Sequence, residues 1–513
     1  MTKKKGKYFL YFVIVLSFIG LGLRLLWLWK HSTAFTYDQG RDLLDLREMY
    51  LLGKLRLIGA STSLHGVFYG PFWYWLSLPF YIITGGNPLS TTFVVLGMSF
   101  ITPIFAFWLI DDKKLGLILA TIYIFSHSFF MNSIIALNTN PVVYIVPVLV
   151  ILLSKFINTN EKKFLYLLMF LSGSLFHFEP IIGLFWIAVF VISIIGFKKV
   201  GEFLKTKKSV FFFGITMLPQ IVFELRHNFL QTKAFLSLLL GQGDSLTKIY
   251  EPIGRLKDLQ RIILDVFVNQ TGGGHVFLGI VFVFLFLFCI KKIFSPDSLK
   301  NKNKPMGLIF LVTLIVFLFG FAIYPYALWP WYLSSLDALI LSLVGLGLYY
   351  LFISSKKMLF ISICLFFILL LVNVQRYFPW PLEQGFSPDT ANLRTRLAVV
   401  DLIYNDSNGK GMAIFTFAPY VYDYPYQYLI WWRAKTKYHY LPEEYVYLTN
   451  QPAYVAAKEK ADSLIEKRDS TCDYLIIEPF ESQEKWFWDW RGRFPEAKKS
   501  WEIGETKVEK LCQ

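Results

Sequence analysis

Charge is scarce in this chain. Of its 513 residues only 17% are Asp, Glu, Lys or Arg, whereas a soluble protein carries about a quarter. Cysteine is scarcer still, with four in all, and no two of them stand at a metal-ligand spacing. There is no internal repeat of fixed period, no low-complexity tract and no motif as specific as a Walker sequence. These absences set aside a soluble globular protein, a cysteine-based metal site and a repeat array. The net charge of +15 is spread over short lysine clusters between apolar runs. That is the pattern of cytoplasmic loops, in which basic residues oppose translocation, so no nucleic-acid partner is expected.

What fills the chain is apolar. Hydrophobic residues make up 55% and aromatics 19%, with 51 Phe and runs such as "VFLGIVFVFLFLFCI". One core cannot bury that much, so the reading is a polytopic membrane protein among membrane lipids, in a bacterial or archaeal plasma membrane. The N-terminus, "MTKKKGKYFLYFVIVLSFIGLGLRLLWLWK", has an apolar run too long for a signal peptide and no small-residue cleavage site. It reads as an uncleaved first span with a cytoplasmic N-terminus. Spans are expected near 8–29, 88–110, 114–132, 141–157, 163–178, 180–197, 209–225, 275–290, 305–324, 331–353 and 358–374.

The piece "FYGPFWYWLSLPFYIITGG" (68–86) is ambiguous, and charge decides it. If it lies in the interface, every basic cluster (3–7, 111–114, 155–163, 198–208, 291–304 and 354–357) falls on one side. The result is about eleven spans with the C-terminus outside. Residues 1–374 form the membrane domain and 375–513 an extracytoplasmic one. In the latter, "GMAIFTFAP" and "CDYLIIEP" read as strands, "AYVAAKEKADSLIEKR" as an amphipathic helix, and "WEIGETKVEKL" as a closing hairpin. The fold class is mainly α: a helical membrane bundle with interfacial helices and a small C-terminal α/β domain. Cys289 and Cys364 read as packing residues; Cys472 and Cys512 could pair if their region is extracytoplasmic, and are otherwise free thiols.

The outer face collects the chemistry. Asp38 follows the first span in "TYDQGRD", where a carboxylate near the bilayer is costly to desolvate. It is either a helix N-cap or a functional acid. Arg41 follows it, while Asp45, Arg47 and Glu48 read as the solvated face of an amphipathic helix whose apolar face, Leu43 to Leu52, lies in the interface. "GSLFHFEPIIG" places His177 and Glu179 between two apolar runs. "PQIVFELRHNFLQTK" presents Glu224, Arg226 and His227, with Lys233 beyond; Arg226 could meet an anion or mark the membrane boundary. Asn138 and Asn140 are neutral donors and acceptors, and Tyr69 is a further binding candidate. "YPYALWPWYLSS" (324–335) offers aromatic surface for a sugar ring or an interfacial belt. The span centres are nearly free of charge, unlike those of a transporter.

An Asp just past span one in a long first outer loop, then an interfacial "GPFWYWL" segment and basic hairpins, resembles the GT-C membrane glycosyltransferases. More narrowly it resembles the branch holding the protein O-mannosyltransferases and the lipid A aminoarabinose transferase. The resemblance covers about residues 5–375. It implies inverting transfer of a hexosyl or pentosyl group from a polyprenyl-phosphate-linked donor on the non-cytoplasmic face. The acceptor would be a glycolipid, a protein or a wall polymer. By the resemblance Asp38 is the general base or acceptor-orienting group, and Arg41, Arg226 and His227 are candidates to stabilise the phosphate. His177, Glu224, Asn138, Asn140 and Tyr69 complete the expected binding set.

Two positions depart from the family pattern. Gln39 stands where relatives often carry Glu, and the second outer loop holds Asn138 and Asn140 where relatives often hold an acid. Glu179 could supply the second carboxylate, orienting the acceptor or holding a divalent cation (Mg or Mn) with Asp38. A flippase for lipid-linked saccharides, and an inactive scaffold of the same fold, are the competing readings.

Overall fold

The computed structural model describes residues 3–62, 66–239, 252–295, 302–324, 328–378, 390–418, 422–448, 454–480 and 483–512. The middle of the long 224–274 loop, three residues of the 324–335 aromatic stretch and the first residues of the C-terminal region lie outside the described residues.

The chain opens with α1 (Lys3–His31), a short extended link, and α2 (Tyr37–Leu52). An irregular stretch leads to α3 (Phe72–Ile83), then α4 (Thr92–Leu109), α5 (Lys113–Phe125), α6 (His127–Ile134) and α7 (Pro141–Thr159). Next come α8 (Lys162–Phe178), α9 (Pro180–Gly196), the short α10 (Val200–Lys205), α11 (Lys208–Arg226) and α12 (Leu230–Leu239). The bundle is completed by α13 (Pro252–Asp265), a π-helical turn (Val266–Thr271), α14 (Val276–Phe294), α15 (Lys304–Ile323), α16 (Pro330–Ser354) and α17 (Lys356–Tyr377).

Among the described residues eight helices are long and apolar enough to cross a membrane, or nine if α5 and α6, bent by 50°, make one span. Every segment expected to span is helical; the two outside that set, α8 and α9, have 17 residues each, about 25 Å of helix. The protein is an integral membrane protein. α3, with 12 residues, is about 18 Å long and too short to cross a ~30 Å hydrocarbon core. α7 and α16 run through the middle, 83% buried along their apolar stretches, whereas α1, α11 and α17 are 22% buried and present Phe, Leu and Ile outward. Ionisable side chains nevertheless sit within these helices: Arg24 is buried, bonded to Ser133 Oγ (2.6 Å) and the Ile124 carbonyl (3.1 Å), and the half-buried Asp337 accepts from Ser128 Oγ (2.7 Å).

The C-terminal region builds a three-layer α/β domain. It runs α18 (Leu393–Ser407), β1 (Ala413–Phe417), α19 (Tyr424–Arg433), a π-helical turn (Ala434–Tyr438), β2 (Tyr440–Pro442), β3 (Glu444–Val446) and α20 (Lys458–Asp462). It ends with β4 (Glu466–Arg468), β5 (Asp473–Ile477), α21 (Glu484–Arg491), β6 (Lys499–Ile503) and β7 (Thr506–Lys510). The main sheet has the order β3-β1-β5-β7-β6, with β1 parallel to β3 and β5, and β7 antiparallel to β5 and β6. Strand alternation divides its two faces. Ile414, Tyr474, Ile476 and Val508 join the core shared with the bundle, while Phe415, Phe417, Leu475 and Ile477 meet Phe487 and Trp490 of α21.

Both predicted strands and the closing hairpin form, the latter turning at Gly504. The expected amphipathic helix does not. Among its described residues only Lys458–Asp462 is helical, and the last ones pair as β4 alongside β2, because Tyr440–Pro442 offers an edge that the local pattern cannot reveal. Continuing the β5–β7 register places Cys472 opposite Cys512, and the two form a disulfide with Cα atoms 5.3 Å apart. It closes a loop across 40 residues. Replacing Cys472 by Ser, or reducing the full-length protein, is expected to lower the unfolding free energy of this domain by about 2–4 kcal/mol. Denaturant unfolding followed by domain tryptophan fluorescence measures it.

Candidate active site

α2 carries the first acid, and its surroundings explain the crowding of charge there. The helix is capped at Thr36, whose backbone N–H donates to Gln39 Oε1 at 2.7 Å. Asp38 is therefore a first-turn residue and not the N-cap, and Gln39 has a local structural task. Asp38 is paired with Arg41 (2.7 Å) and keeps 41% of its side chain exposed. On its other side Arg41 holds the buried Asp42 at 2.8 and 3.1 Å. Burial works against the Arg41 charge, but Asp42, Tyr74 and Asp38 outweigh it and raise its pKa above the ordinary value.

The remaining charges of α2 are not a solvated face, contrary to the sequence expectation. Asp42 accepts from Trp73 Nε1 (2.8 Å) and Tyr74 Oη (3.2 Å), and Asp45 from Tyr74 Oη (2.7 Å). Arg56 ties Asp45 (2.7 Å) and Glu48 together. Arg47 is 1% exposed and lies over the Trp431 ring of α19 at 4.8 Å. Leu43, Leu44, Leu46 and Met49 are buried in protein, not in the interface. The partners come from α3 and from the C-terminal domain, hundreds of residues away, so a helical wheel cannot show them. Here "GPFWYWL" has its use: its aromatic N–H and O–H groups satisfy the acids of α2.

The C-terminal domain grips the same segment from above. Phe35 N donates to the Ala391 carbonyl (2.5 Å) and Leu393 N to the Thr33 carbonyl (2.9 Å). Arg396, paired with Glu478 in a fully buried fork, also donates to the Phe35 carbonyl. Tyr37 packs on Tyr424 with ring centres 4.9 Å apart. Gly40 faces the backbone of Pro425 so closely that a Cβ would come within 2.5 Å of its nitrogen.

A cavity of about 100 Å³ opens at Asp38. Its walls are Asp38 and Arg41 from α2, Ser61, Thr62 and Tyr69 from the irregular stretch, Leu137, Asn138 and Thr139 from the loop between α6 and α7, and Trp331 and Tyr332 from α16. Asn138 Nδ2 and Thr139 Oγ1 are buried without a hydrogen-bond partner among the described residues. Unpaired buried polar atoms are costly in a finished core and are expected where a ligand completes the bonding. The loop bearing them ends at Pro141, which starts α7 at the favoured first position.

Glu179 adjoins this cavity through Tyr69, whose hydroxyl donates to Glu179 Oε2 at 3.5 Å. The carboxyl sits in the corner between α8 and α9, outside both, and burial pushes it up to about 8. The other expected residues are placed elsewhere. His177 is buried, stacks on Phe72 (3.7 Å) and donates from Nε2 to the Thr216 carbonyl (2.7 Å). A Cβ at Gly70 would collide with its ring, so this glycine allows the irregular stretch to lie directly on the imidazole. Glu224 caps α12, accepting from Gln231 N and Thr232 N at 2.9 Å each. Arg226, His227 and Lys233 are exposed beside it, His227 bonding the Phe223 carbonyl at 2.8 Å. Asn140 uses its amide on the carbonyls of Asn132 (3.2 Å) and Ile135 (2.6 Å) and lines a neighbouring cavity instead.

Asp38, Arg41, Tyr69 and Asn138 are thus brought together, with Glu179 behind Tyr69. Trp331 and Tyr332 belong to the aromatic stretch singled out in the sequence. Ser61, Thr62 and Thr139 carried no sequence signal, because small hydroxyl residues occur in every loop. Among the described residues no group of three or more His, Cys, Asp and Glu side chains converges as a metal site. The described side chains of the site therefore do not fit a protein-held divalent cation.

No protein-family profile and no curated protein matches the sequence. Solved structures do. The crystal structure of ArnT from Cupriavidus metallidurans bound to undecaprenyl phosphate superposes with a TM-score of 0.59 at 9% identity, covering 100% of this chain and 99% of that one. The apo structure of the same protein gives 0.60 at 9% identity, covering 98% of both chains. The chain therefore has the GT-C fold, in the form seen in the lipid A aminoarabinose transferase branch.

Proposed function

We propose that this protein transfers a sugar from a polyprenyl-phosphate carrier to an acceptor on the extracytoplasmic face of the membrane. The observation that carries the reading is the Asp38–Arg41 pair at the mouth of a cavity walled by unpartnered polar atoms and aromatic rings. The fold, shared with a protein crystallised with undecaprenyl phosphate, supports the donor class. So does an apolar groove of about 560 Å³ between α3, α4, α7 and α8, which suits an isoprenoid chain.

The chemistry follows from the arrangement. The acceptor hydroxyl gives its proton to an Asp38 carboxylate oxygen as its own oxygen bonds the anomeric carbon. The bond from that carbon to the phosphate oxygen breaks, and the lipid phosphate leaves with the electron pair. Attack opposite the leaving group inverts the anomeric configuration. Arg41 is committed to two carboxylates, so its geometry favours orienting Asp38 over direct phosphate binding. Tyr69, Asn138 and Thr139 are placed to hold sugar hydroxyls.

Sidedness has two supports. The disulfide Cys472–Cys512 belongs to an oxidising compartment. The domain that holds it also contacts the segment bearing Asp38, which supports putting the reaction on the same side as the disulfide. Assay of the purified protein with polyprenyl-phosphate sugars, with and without a chelator, tests the reading; absence of turnover with every donor would refute it.

Glu179 provides a pH signature. Its carboxyl is neutral at pH 7 and ionises as pH rises through about 8. Because the folded pKa lies above the unfolded one, its contribution to stability is full below the unfolded carboxyl pKa and is lost as pH climbs through the folded one. Ionisation would place a buried charge behind Tyr69, so turnover is expected to fall above pH 8. Glu179→Gln, which keeps a neutral amide there, should retain most activity at pH 7 and lose this alkaline limb. A pH–rate profile of both proteins checks it.

A further inference from the structure

Beside the Asp38 cavity lies a second and larger one, of about 620 Å³. Two residues, Leu137 and Trp331, belong to both walls, so the cavities share a partition. The larger is formed by the outer ends of α6, α13 and α16 and the adjoining π-helical turn. Its volume falls in the roughly 300–1,000 Å³ range of small-molecule sites.

The lining is of two kinds. Trp331 supplies an indole stacked parallel to Trp329, with ring centres 5.1 Å apart and planes 1° from parallel. Around it stand polar groups spread over separate elements: Asp337 of α16, Asn132 of α6, and Arg261 and Asp265 of α13. Asp337 is half-buried and is bonded through one oxygen, to Ser128 Oγ at 2.7 Å, among the contacts the structure shows. A flat aromatic wall facing carboxylates and amides suits a ring that has C–H faces and hydroxyl edges. Ionisable lining groups are one guanidinium against two carboxylates. That balance disfavours a phosphate and admits neutral and amino sugars.

We propose that this second cavity is the acceptor subsite and that its occupant is a neutral or amino-substituted saccharide. The inference rests on the transfer reaction above for the role of acceptor. In an inverting displacement the acceptor approaches from the side opposite the phosphate, the side on which the base stands. A saccharide seated against Trp331 would present a hydroxyl across the shared partition to Asp38. A free carboxylate oxygen of Asp337 and the exposed carboxylate of Asp265 would accept from its other hydroxyls or from an ammonium group.

Binding can be measured apart from catalysis. The full-length protein in detergent is titrated with methyl glucoside, glucosamine and glucose 1-phosphate, read by tryptophan fluorescence. Methyl glucoside and glucosamine should bind with Kd on the order of 1 mM, and the sugar phosphate about tenfold more weakly. Asp337→Asn and Asp265→Ala should each weaken glucosamine about tenfold; Asp265 is exposed, so its variant tests the site without disturbing the bundle. No response to either sugar, preference for the phosphate, or indifference to both variants would overturn the proposal. In a turnover assay Asp265→Ala should raise the acceptor KM while donor hydrolysis by water continues. A wild type that binds saccharides but consumes no donor would refute the transfer reaction and leave the saccharide site standing.

Discussion

Asp38→Asn should lower the turnover number for sugar transfer by about 10²–10⁴-fold, the range lost with a general base, while the protein stays folded. The asparagine keeps the shape and one hydrogen-bond acceptor but cannot take the acceptor proton. Little stability is at risk: the Asp38–Arg41 pair is a part-exposed contact one helical turn apart, worth at most about 0.5 kcal/mol. Helix capping is unaffected, because Thr36 and Gln39 supply it. Donor affinity should hardly change, so the loss appears in kcat and not in KM. Activity that survives the substitution would return Asp38 to a first-turn acid favoured by the helix dipole and remove the centre of the proposed mechanism.

Arg396→Ala should cost about 3–5 kcal/mol of stability, because it strands the Glu478 carboxylate in a fully buried site. Both side chains are 0% exposed, and the fork is made at 2.8–3.0 Å. The same guanidinium bonds the Phe35 carbonyl, three residues before Asp38. The substitution should therefore loosen the C-terminal domain from α2 as well as destabilise it, and activity should fall although no site residue has changed. Thermal unfolding gives the first effect, and protease sensitivity of the link after α17 the second. Arg396→Met combined with Glu478→Leu removes both charges together. It should recover most of the stability, since well-packed apolar residues can replace a buried pair at little cost, but not the bond to Phe35. A double variant that is stable and still impaired in turnover would separate the grip on α2 from the folding of the domain.

Much of the architecture was legible because lipid imposes it. Long apolar runs, lysine-marked hairpins and the two prolines of the 68–86 piece are local signals, and each expected segment is helical. Strands β1 and β5 and the β6–β7 hairpin were legible for the same reason. The failures share a cause. Arg47, Asp45 and Glu48 look solvated until Trp431, Tyr74 and Arg56 are brought onto them. Glu224 looks like a site acid until α12 turns back onto its carboxylate. His177 looks like a ligand-binding imidazole until Gly70 lies upon it. In each case a distant or returning segment covers or bonds the polar group, and a one-dimensional pattern holds no record of it. Asp38 and Arg41 were legible because their charge beside a bilayer had to be explained. Thr139 was not, since only the absence of a partner distinguishes it from other loop threonines.

The bridge between residues 33–35 and 391–393 joins stretches about 360 positions apart. During synthesis, at roughly 5–20 residues per second, α2 waits on the order of tens of seconds before the segment that seats it exists. The helix bearing Asp38 is among the first parts made and among the last fixed. A chain cut short between residues 378 and 390 would keep its spans and Asp38 and lack the contacts that hold the start of α2. The segment bearing Asp38 is seated only once the C-terminal domain that grips it has been made.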